Sequence, residues 1–369
     1  MSSPPHTTFV LISGGGTGGH VFPALALADE LVARGHERSS IRFVGARRGI
    51  EATAVPAAGF AVELLPGRGL LRAWTPRAVL QNARAAWDNV VAFARAFALV
   101  RRECPQVVVG VGAYASLPAL VAAASLRIPM VVHEADAHPG LANRIAVRLG
   151  ALAAVSFPGT PLRGAVVTGN PIRPAIALVQ RHPVTPAMIA VVGGSLGARR
   201  LNDAALELAD RWRDRNDVVI HHVTGERDYE DCRRGLAGRR RTGDRLGYTL
   251  VPFEEHMDTL YTDAMLMVSR AGGMTAELAA TGMPAVLVPL PGAPGDHQTR
   301  NAEAFAAAGA AVVIRDDRLD GTLLALELDA LLEAPARLQA MSVAALGLAR
   351  PDATARFADL VEGAVRARR

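Results

Sequence analysis

The chain contains 369 residues, of which 50% are hydrophobic and 20% are charged, a balance typical of a globular protein and not of a disordered one. The net charge is only +5, which excludes the concentrated basic surface that strong nucleic-acid binding needs, so we expect no nucleic-acid partner. Cys104 and Cys232 are the only cysteines and lie far apart; a disulfide scaffold and a cysteine zinc site are therefore excluded, and a reducing cytoplasm is favoured.

Two segments in the first third of the chain bear on membranes. Residues 1–8 contain no basic n-region, so no signal peptide is predicted. Residues 104–126 carry no charge and are long enough to cross a bilayer, but Gly110, Gly112 and Pro118 interrupt them. We therefore interpret this segment as a strand, a glycine-rich turn and a buried helix.

The first half of the chain alternates short apolar runs with segments of helical periodicity. Residues 9–13 predict a strand, the glycine loop 14–19 follows and ends at His20, and residues 23–34 predict a helix. Further strands are predicted at residues 42–44, 107–111 and 130–133. Strands that alternate with helices in this way predict a parallel, doubly wound sheet.

The same pattern begins again in the second half. Residues 188–192 predict a buried strand, residues 193–198 form a second glycine loop, and residues 202–212 predict a helix. Later strands are predicted at residues 217–223, 265–269 and 285–289. The repetition indicates a second domain of the same class.

A proline-rich connector separates the two halves. Pro171 and Pro174 flank an Ile–Arg pair, which favours a stiff, extended segment and places the boundary near residues 175–185. We therefore predict an α/β protein of two Rossmann-like domains that face each other across a cleft. The predicted domains are residues 1–175 and 176–350, followed by a C-terminal helix within 351–369, for which we consider packing against the N-terminal domain.

Four loops that contain glycine follow predicted strands, after Ser13, Val109, Val192 and Ser269. At such junctions the backbone N–H groups point towards a ligand at the positive end of a helix dipole. One loop alone is weak support, because glycine also serves tight turns. Four together predict anionic ligands with more than one phosphate group.

Common cofactor motifs are excluded or weak. The glycine loop 14–19 fits GxGxxG, but the next strand segment, residues 42–47, has no acid at its tip, as a Rossmann dehydrogenase requires. A P-loop is excluded because the chain contains no lysine. Glu134 and Asp136 resemble a short carboxylate metal motif, yet no third ligand is near them in sequence. We therefore predict neither a cofactor nor a metal.

The ordered set of motifs resembles the MurG glycosyltransferases and covers most of the chain. The matching segments are GGGTGGHVFPALALA (14–28), GAYASLP (112–118), HEADAHPGLANR (133–144), TGNPIRP (168–174), GGSLGARRLN (193–202), SRAGGMTAEL (269–278) and PLPGAPGDHQTRNA (289–302). The resemblance implies a GT-B fold and an inverting hexosyltransferase. It would move N-acetylglucosamine from its UDP donor to the C4 hydroxyl of undecaprenyl-diphospho-N-acetylmuramyl pentapeptide, converting lipid I to lipid II in peptidoglycan synthesis.

The resemblance also implies site residues. His20 is the candidate general base, with two alternatives: it donates to the acceptor diphosphate, or it only caps the turn. The residues implied for UDP-N-acetylglucosamine are Thr17, Gly18, Gly19, Asp136, Arg173, Ser195, Glu254, Gly273, Met274, Thr275, Glu277 and Gln298. The residues implied for the acceptor diphosphate are Gly15, Gly16, Tyr114 and Ser116. The alternative role for Ser195 is to cap its helix. The alternative for Arg173 is an ordinary surface arginine.

Some positions depart from the usual family pattern. Asp136 stands where asparagine is usual, Ala113 where glycine is common and Leu196 where glutamine is common. The spacing from Thr275 to Glu277 is one residue short. One helical residue corresponds to a rotation of about 100°, so Glu277 would reach the donor ribose only if the turn compensates.

Residues 67–97 predict shallow attachment to a membrane. Apolar side chains alternate there with basic ones, a combination that suits an anionic lipid surface. These residues are Leu70, Leu71, Trp74, Trp87 and Phe93 with Arg68, Arg72, Arg77, Arg84 and Arg95. The alternative is an ordinary amphipathic helix packed on its own domain. We expect a peripheral protein on the cytoplasmic face of the cell membrane.

Three rival functions remain open from the sequence. The first is a paralogous GT-B transferase with another lipid or natural-product acceptor, which Asp136 and the shortened spacing would fit. The second is a UDP-sugar epimerase, which needs no acceptor. The third is a catalytically silent UDP-sugar-binding protein. The apolar and basic segment 67–97 favours a lipid acceptor over the epimerase.

Overall fold

The computed structural model describes residues 8–47, 49–66, 76–194 and 197–367, with the side chains of 76–87 and of Pro294 outside that description. The chain divides into two compact units. The first comprises Met1–Arg173 together with Asp352–Arg369, and the second comprises Pro174–Pro351. Each unit is built around one parallel β-sheet.

Seven strands form the sheet of the first unit. They are β1 Val10–Ser13, β2 Ile41–Ala46, β3 Ala61–Leu65, β4 Val107–Gly110, β5 Met130–Glu134, β6 Leu152–Val155 and β7 Ala165–Val167. All pairs are parallel, in the order β3-β2-β1-β4-β5-β6-β7. The helices between them are α1 Gly18–Ala33, α2 Glu51–Ala57, α3 Pro76–Glu103, α4 Leu117–Ser125 and α5 Leu141–Arg148.

Six strands form the sheet of the second unit. They are β8 Ala187–Val192, β9 Val218–Val223, β10 Gly247–Val251, β11 Ala264–Ser269, β12 Ala285–Leu287 and β13 Ala311–Val313. Their order is β10-β9-β8-β11-β12-β13, again with parallel pairs. The helices are α6 Pro174–Ala177, α7 Arg199–Arg211, α8 Tyr229–Arg239, α9 Met257–Asp263, α10 Met274–Thr281, α11 His297–Ala307, α12 Gly321–Leu332 and α13 Pro335–Leu348.

The central strands are apolar along their whole length because helices cover both faces of each sheet. β1 and β4 are buried at every residue, and continuous apolar runs are typical of parallel sheets covered on both sides. In the first unit, Ile12 faces one apolar cluster and Leu11 faces the other. The predicted doubly wound parallel sheets are confirmed in both units.

The last helix, α14 Ala353–Arg366, belongs to the first unit. Phe357 is fully buried in the apolar cluster that also contains Ile12. At the end of α1, Arg34 donates to Asp359 Oδ1 over 2.7 Å. Apolar packing and this ion pair together fix α14 on the sheet.

The first helix begins earlier than the sequence analysis predicts. α1 starts at Gly18, and Pro23 lies in its second turn instead of opening the helix. The earlier start buries Val21 beside Leu25, and positions i and i+4 share one face of a helix. His20 therefore lies in the first turn of α1 and not in a loop before it.

Five strands lie outside the predicted set: the edge strands β3, β7, β10 and β13, and the internal strand β6. Each edge strand is partly exposed along most of its length, because an edge strand has a neighbour on one side only. β3 and β10 contain polar residues, and β6, β7 and β13 are apolar but only three or four residues long, and such short runs give a weak sequence signal.

The segment predicted to attach to a membrane is described only in part. The side chains of residues 67–87 lie outside the described residues, so the predictions for Leu70, Leu71, Trp74, Trp87, Arg68, Arg72, Arg77 and Arg84 remain predictions. Further along α3, Phe93 is half-buried and Arg95 is exposed. Among the residues that the structure describes, no helix is long and apolar enough to cross a membrane.

Candidate active site

The first glycine loop connects β1 to α1 at the carboxyl edge of the first sheet. Gly14, Gly15 and Gly16 adopt positive φ angles of 147°, 153° and 92°. A Cβ on Gly14 would lie 2.5 Å from Val111 Cγ2 and 3.0 Å from the carbonyl oxygen of Gly112. The loop therefore packs closely on the segment that follows β4, and glycine is required there.

A carboxylate from α2 enters the first glycine loop. Glu51 is only 2% exposed, and its Oε2 accepts the Gly16 N–H over 2.8 Å. Its Oε1 accepts the Ala46 N–H, also over 2.8 Å. The Gly16 amide is therefore already paired in this structure, and the predicted contact of Gly16 with the acceptor diphosphate stays a prediction.

Two histidines lie close together at this edge of the sheet. A Cβ on Gly112 would lie 3.0 Å from Cε1 of His20, so the His20 ring packs against the loop after β4. His133, at the end of β5, is buried and donates from Nε2 to the Gly169 carbonyl over 3.2 Å. Burial, and to a smaller extent the nearby His20, lowers the pKa of His133 to about 4. His133 is therefore neutral at pH 7.

The loop after β5 is held by Glu134. Its carboxylate accepts the Gly140 N–H over 2.9 Å, the Asn143 Nδ2 over 2.9 Å and the Asp136 N–H over 3.2 Å. Burial raises the pKa of Glu134, and these hydrogen bonds oppose the rise. Glu134 therefore organises its own loop. Within the described residues, no group of three or more His, Cys, Asp or Glu could hold a metal ion.

The two acceptor residues predicted in the segment after β4 have different environments. Tyr114 is 54% exposed, so its ring is accessible to a ligand. Ser116 is fully buried, and its hydroxyl donates to the Ala113 carbonyl over 2.9 Å. The Ser116 hydroxyl closes the turn in this structure, and its predicted contact with the acceptor diphosphate stays a prediction.

Arg173 lies against the first helix. Its Cζ is 4.5 Å from the centroid of the Phe22 ring, a cation–π distance. Phe22 is in the second turn of α1, just after His20. The connector arginine and the start of α1 are thus neighbours within the first unit.

The second glycine loop follows β8. The Gly193 N–H donates to the Val223 carbonyl over 3.1 Å, and the Gly197 N–H donates to the Gly194 carbonyl over 3.0 Å. A Cβ on Gly197 would lie 2.6 Å from the Thr224 carbonyl oxygen, so glycine is needed for this close approach. Ser195 lies outside the described residues, and its predicted role at the donor diphosphate stays a prediction.

A chain of polar side chains lies under the second glycine loop, and Asn202 joins it to the Asp228 carboxylate over 3.3 Å. Asn202 donates from Nδ2 to the Thr224 carbonyl over 3.1 Å, so its Oδ1 faces His222 Nε2, 3.0 Å away. His222 Nε2 must then carry the proton, and Nδ1 accepts from the Tyr248 hydroxyl over 2.8 Å. Burial, with a smaller contribution from His221, lowers the pKa of His222 to about 3.

The third loop of the second unit leads from β11 into α10. Glu277 lies in the first turn of α10, and its Oε2 accepts the hydroxyl of the buried Tyr261 over 3.0 Å. Thr275 is buried and donates from Oγ1 to the Gly272 carbonyl over 2.9 Å. Gly273 is the residue before α10, and Met274 is its first residue. Tyr261 therefore orients one of the predicted donor-binding side chains.

Gln298 is oriented by the backbone after β12. Its Oε1 accepts the Leu290 N–H over 2.9 Å, so its Nε2 is the group left to face a ligand. Nearby, Asn301 donates from Nδ2 to the Ala271 carbonyl over 2.9 Å and ties α11 to the loop after β11. Arg270 donates to Asp316 Oδ1 over 2.6 Å and to the Val288 carbonyl, so it braces this edge of the sheet.

Glu254 turns its carboxylate towards its own unit. Oε2 lies 2.9 Å from His221 Nε2, and Oε1 accepts the His256 N–H over 2.8 Å. The neighbouring Phe253 is 43% exposed. A ligand at this segment would therefore meet the backbone and Phe253 before the Glu254 carboxylate.

The sequence analysis missed three residues that shape the candidate site: Glu51, Tyr261 and His222. None of them is in a glycine loop or next to one in sequence. For His222 the sequence does contain a signal, because a polar residue stands inside the largely apolar predicted strand 217–223. For Glu51 and Tyr261 the sequence contains no spacing that indicates their partners.

Known proteins with related sequences cover nearly the whole chain. The model of the glycosyltransferase family 28 N-terminal domain matches residues 10–154, and that of the C-terminal domain matches residues 188–362. A protein of Alkalilimnicola ehrlichii, named UDP-N-acetylglucosamine--N-acetylmuramyl-(pentapeptide) pyrophosphoryl-undecaprenol N-acetylglucosamine transferase, is 43% identical over 363 residues. The match covers 95% of this chain and 97% of that protein.

Solved structures give the same relationship. MurG of Acinetobacter baumannii matches with a TM-score of 0.69 and 30% identity, covering 96% of this chain and 99% of that chain. The glycosyltransferase of kitacinnamycin, at 18% identity, matches with a TM-score of 0.67 over 97% of this chain and 98% of that chain, and shares the fold. The predicted GT-B fold of two Rossmann-like domains is confirmed. The chain belongs to glycosyltransferase family 28 and, within it, to the MurG family.

Proposed function

We propose that the protein is an inverting hexosyltransferase that moves N-acetylglucosamine from UDP-N-acetylglucosamine to undecaprenyl-diphospho-N-acetylmuramyl pentapeptide. The observation that carries this proposal is the 43% identity, over 95% of the chain, to a relative whose name states that transfer. Glycine loops at the carboxyl ends of β1 and β8 support it, because a donor and an acceptor with diphosphate groups both need backbone N–H donors.

The reaction would be a single displacement at the anomeric carbon. The C4 hydroxyl oxygen of the acceptor sugar forms the new glycosidic bond, the bond to the UDP oxygen breaks, and UDP leaves with the bonding electrons. The hydroxyl proton passes to a base. His20 is the proposed base, since an imidazole is basic enough near neutral pH and His20 lies in the first turn of α1 at the carboxyl edge of the sheet.

The first unit is the proposed acceptor unit. Tyr114, which is exposed, is proposed to contact the acceptor, and the glycine loop at Gly15 to lie close to its diphosphate. Thr17, Gly18 and Gly19 at the start of α1, with Asp136, are proposed to contribute to donor or acceptor diphosphate binding. Asp136 would bring a negative charge near a diphosphate, which makes it the residue in this set that most needs testing.

The second unit is the proposed donor unit. Ser195 in the second glycine loop and Gly273 to Thr275 before and in α10 are proposed to bind the donor diphosphate. Arg173, which belongs to the first unit, is proposed to bind the same diphosphate. Glu277, which Tyr261 orients, is proposed to accept hydrogen bonds from the ribose. The backbone at Glu254 is proposed to face the uracil, and Gln298 the sugar.

Membrane attachment is proposed for the first unit. The lipid tail of the acceptor stays in the bilayer, so the enzyme must work at its surface, and the segment 67–97 supplies the apolar and basic residues for it. We propose peripheral binding to anionic lipid on the cytoplasmic face of the cell membrane.

The test is UDP release from UDP-N-acetylglucosamine, with and without a lipid I analogue, and with UDP-N-acetylgalactosamine as the alternative donor. We expect release that depends on the acceptor and on the first donor. Release or interconversion of the donor sugar without acceptor would contradict the proposal and favour an epimerase. Donor binding with no acceptor-dependent release would favour a transferase with a different acceptor.

A further inference from the structure

We infer that Glu51 is a positioning residue that fills the anion position of the first glycine loop from inside the fold. In this inference, the carboxylate takes the place that a phosphate would occupy at the Gly16 N–H. It thereby fixes the loop that leads into the first turn of α1, where His20 lies, and leaves substrate recognition to the other N–H groups of the loop and of that turn. The inference rests on the proposed function for its activity readout, but its structural part is independent of it.

The contacts of Glu51 are those of a bound anion. Its two carboxylate oxygens accept one backbone N–H each, from Gly16 and from Ala46, both over 2.8 Å. These N–H groups lie at the carboxyl ends of two neighbouring strands, since Ala46 is the last residue of β2 and Gly16 comes three residues after β1. Hydrogen bonds to an ionised acceptor are roughly twice as strong as neutral ones. One side chain therefore joins two loops at the carboxyl edge of the sheet.

Three glycines from separate segments leave room for this carboxylate. A Cβ on Gly15 would lie 2.1 Å from Glu51 Oε1, and a Cβ on Gly49 would lie 1.9 Å from Oε2. A Cβ on Gly45 would lie 2.5 Å from Cγ of the same side chain. Since Glu51 is 2% exposed and both its oxygens are paired, it has no other position into which it could move easily. The three glycines and the glutamate form one packing unit.

The charge of Glu51 decides which part of the loop can take a phosphate. Like charges at close range disfavour each other, so a phosphate is excluded from the side of the loop where the carboxylate lies. The first N–H groups of α1 remain, since the initial N–H groups of a helix lack partners within it. His20 is in the same turn, so a shift of the loop would also move the candidate base.

The test compares Glu51→Ala, Glu51→Gln and Glu103→Gln. Alanine removes a group of the size of acetate, whereas glutamine keeps the volume and offers one acceptor for two N–H groups. Glu103 is the matched control: it is 8% exposed and accepts from Thr8 and Arg42 near the opposite edge of the same sheet. Turnover is measured by acceptor-dependent UDP release, in sodium acetate and in sodium chloride at equal ionic strength.

We expect kcat to fall about 10- to 100-fold in both Glu51 variants, which corresponds to the loss of a hydrogen bond to a charged group. Acetate should restore part of the activity of Glu51→Ala, but not of Glu51→Gln, whose side chain still fills the space. Glu103→Gln should melt at a lower temperature with unchanged kcat and no response to acetate. Wild-type kcat in Glu51→Ala, with only a lower melting temperature, would overturn the inference.

Amide hydrogen exchange gives a readout that does not require activity. The Gly16 and Ala46 amides should be protected in the wild type, exchange faster in Glu51→Ala and regain protection in acetate. Unchanged exchange in Glu51→Ala would overturn the inference. If the wild type itself released no UDP with a lipid I analogue, the proposed function would fail, and the exchange result would still decide the role of Glu51.

Discussion

The two glycine loops occupy equivalent places in their sheets but are stabilised differently. β1 and β8 each lie between the second and fourth strands of their unit, and each leads through glycines into a helix. The first loop encloses a carboxylate, Glu51, that accepts one of its own N–H groups. The second lies on His222 and Asn202, and Asn202 donates to the Asp228 carboxylate, which accepts no N–H group of the loop among the described residues.

This difference shows that a glycine-rich strand–helix junction specifies a turn but not the group that fills it. In the first loop the filling group is an anion, which competes with a phosphate. In the second, Asn202 donates to a backbone carbonyl and to the Asp228 carboxylate, but among the described residues no N–H group of the loop itself donates to a carboxylate.

Alanine substitutions in the two glycine loops should change the unfolding free energy most. They should also distinguish the first loop, which encloses Glu51, from the second. Gly15→Ala places a Cβ 2.1 Å from Glu51 at a φ of 153°, so we expect a loss of about 3 to 5 kcal/mol in unfolding free energy from overpacking and backbone strain. Gly194→Ala, at a φ of 81° with nothing within 4 Å, should cost only the strain, about 1 to 3 kcal/mol. Chemical denaturation measures both.

Gly16→Ala is the control within the first loop, since a Cβ there would meet nothing within 4 Å. Its cost should equal that of Gly194→Ala. If Gly15→Ala and Gly16→Ala were equally destabilising, the contact between Gly15 and Glu51 would not limit the first loop.

The hydrogen-bonded side chains under the second glycine loop, which include His222, should make the unfolding free energy of the second unit depend on pH in the acid range. The pKa of His222 is lowered from 6.5 to about 3, so between these values the unfolded chain binds a proton that the folded unit does not. Stability should therefore fall as the pH drops from 6.5 towards 3, by up to about 1.4 kcal/mol per pH unit. His222→Gln should remove this contribution from the slope of unfolding free energy against pH.

His133→Gln is the matched substitution in the first unit, because burial lowers the pKa of His133 to about 4. In each variant, the slope of unfolding free energy against pH should decrease by the contribution of about one bound proton. An unchanged slope in His222→Gln would contradict a buried, neutral imidazole under the second loop.

A smaller effect, on the KM for the donor, is expected when the contact of Tyr261 with Glu277 is removed. Glu277 accepts a hydrogen bond from the Tyr261 hydroxyl, whereas Glu51 accepts backbone N–H groups, so a side-chain substitution can change the orientation of Glu277. Tyr261→Phe should raise the KM for UDP-N-acetylglucosamine about 5- to 10-fold, equivalent to about 1 kcal/mol, with little change in kcat. Steady-state kinetics at saturating acceptor measure it. A fall in kcat alone would argue against a role of Glu277 in donor binding.

The smallest effect is expected at Ala113, next to the first loop. Ala113 has a φ of 61°, a conformation that costs a residue with a Cβ roughly 1 kcal/mol. Ala113→Gly relieves this strain but increases the entropy of the unfolded chain. We expect a change in unfolding free energy within about 1 kcal/mol, with activity retained. A large loss of activity would show that the side chain of Ala113 contacts substrate.

Much of the fold could be predicted from sequence because the central strands carry their own signal. The runs at β1, β4, β8 and β11 are apolar, buried and followed by glycine, so strand and loop could be located together. The edge strands β3 and β13 could not, because β3 contains the polar residue Glu63 and the apolar strand β13 is only three residues long. The start of α1 was misplaced at Pro23, since the burial of Val21 depends on the sheet beneath it.

The candidate site, like the fold, has a part that the sequence predicts and a part that it does not. The sequence by itself determined the order of the glycine loops, the family and the residues that stand in its motifs, such as His20, Glu277 and Gln298, because these are local patterns along the chain. Only the tertiary structure decided that Gly16 is already paired with Glu51 and that Tyr261 orients Glu277. Those contacts join residues from different elements, 16 to 35 positions apart for Tyr261 and Glu51, and hydrogen bonds of that kind exist only once the strands and helices have been packed together.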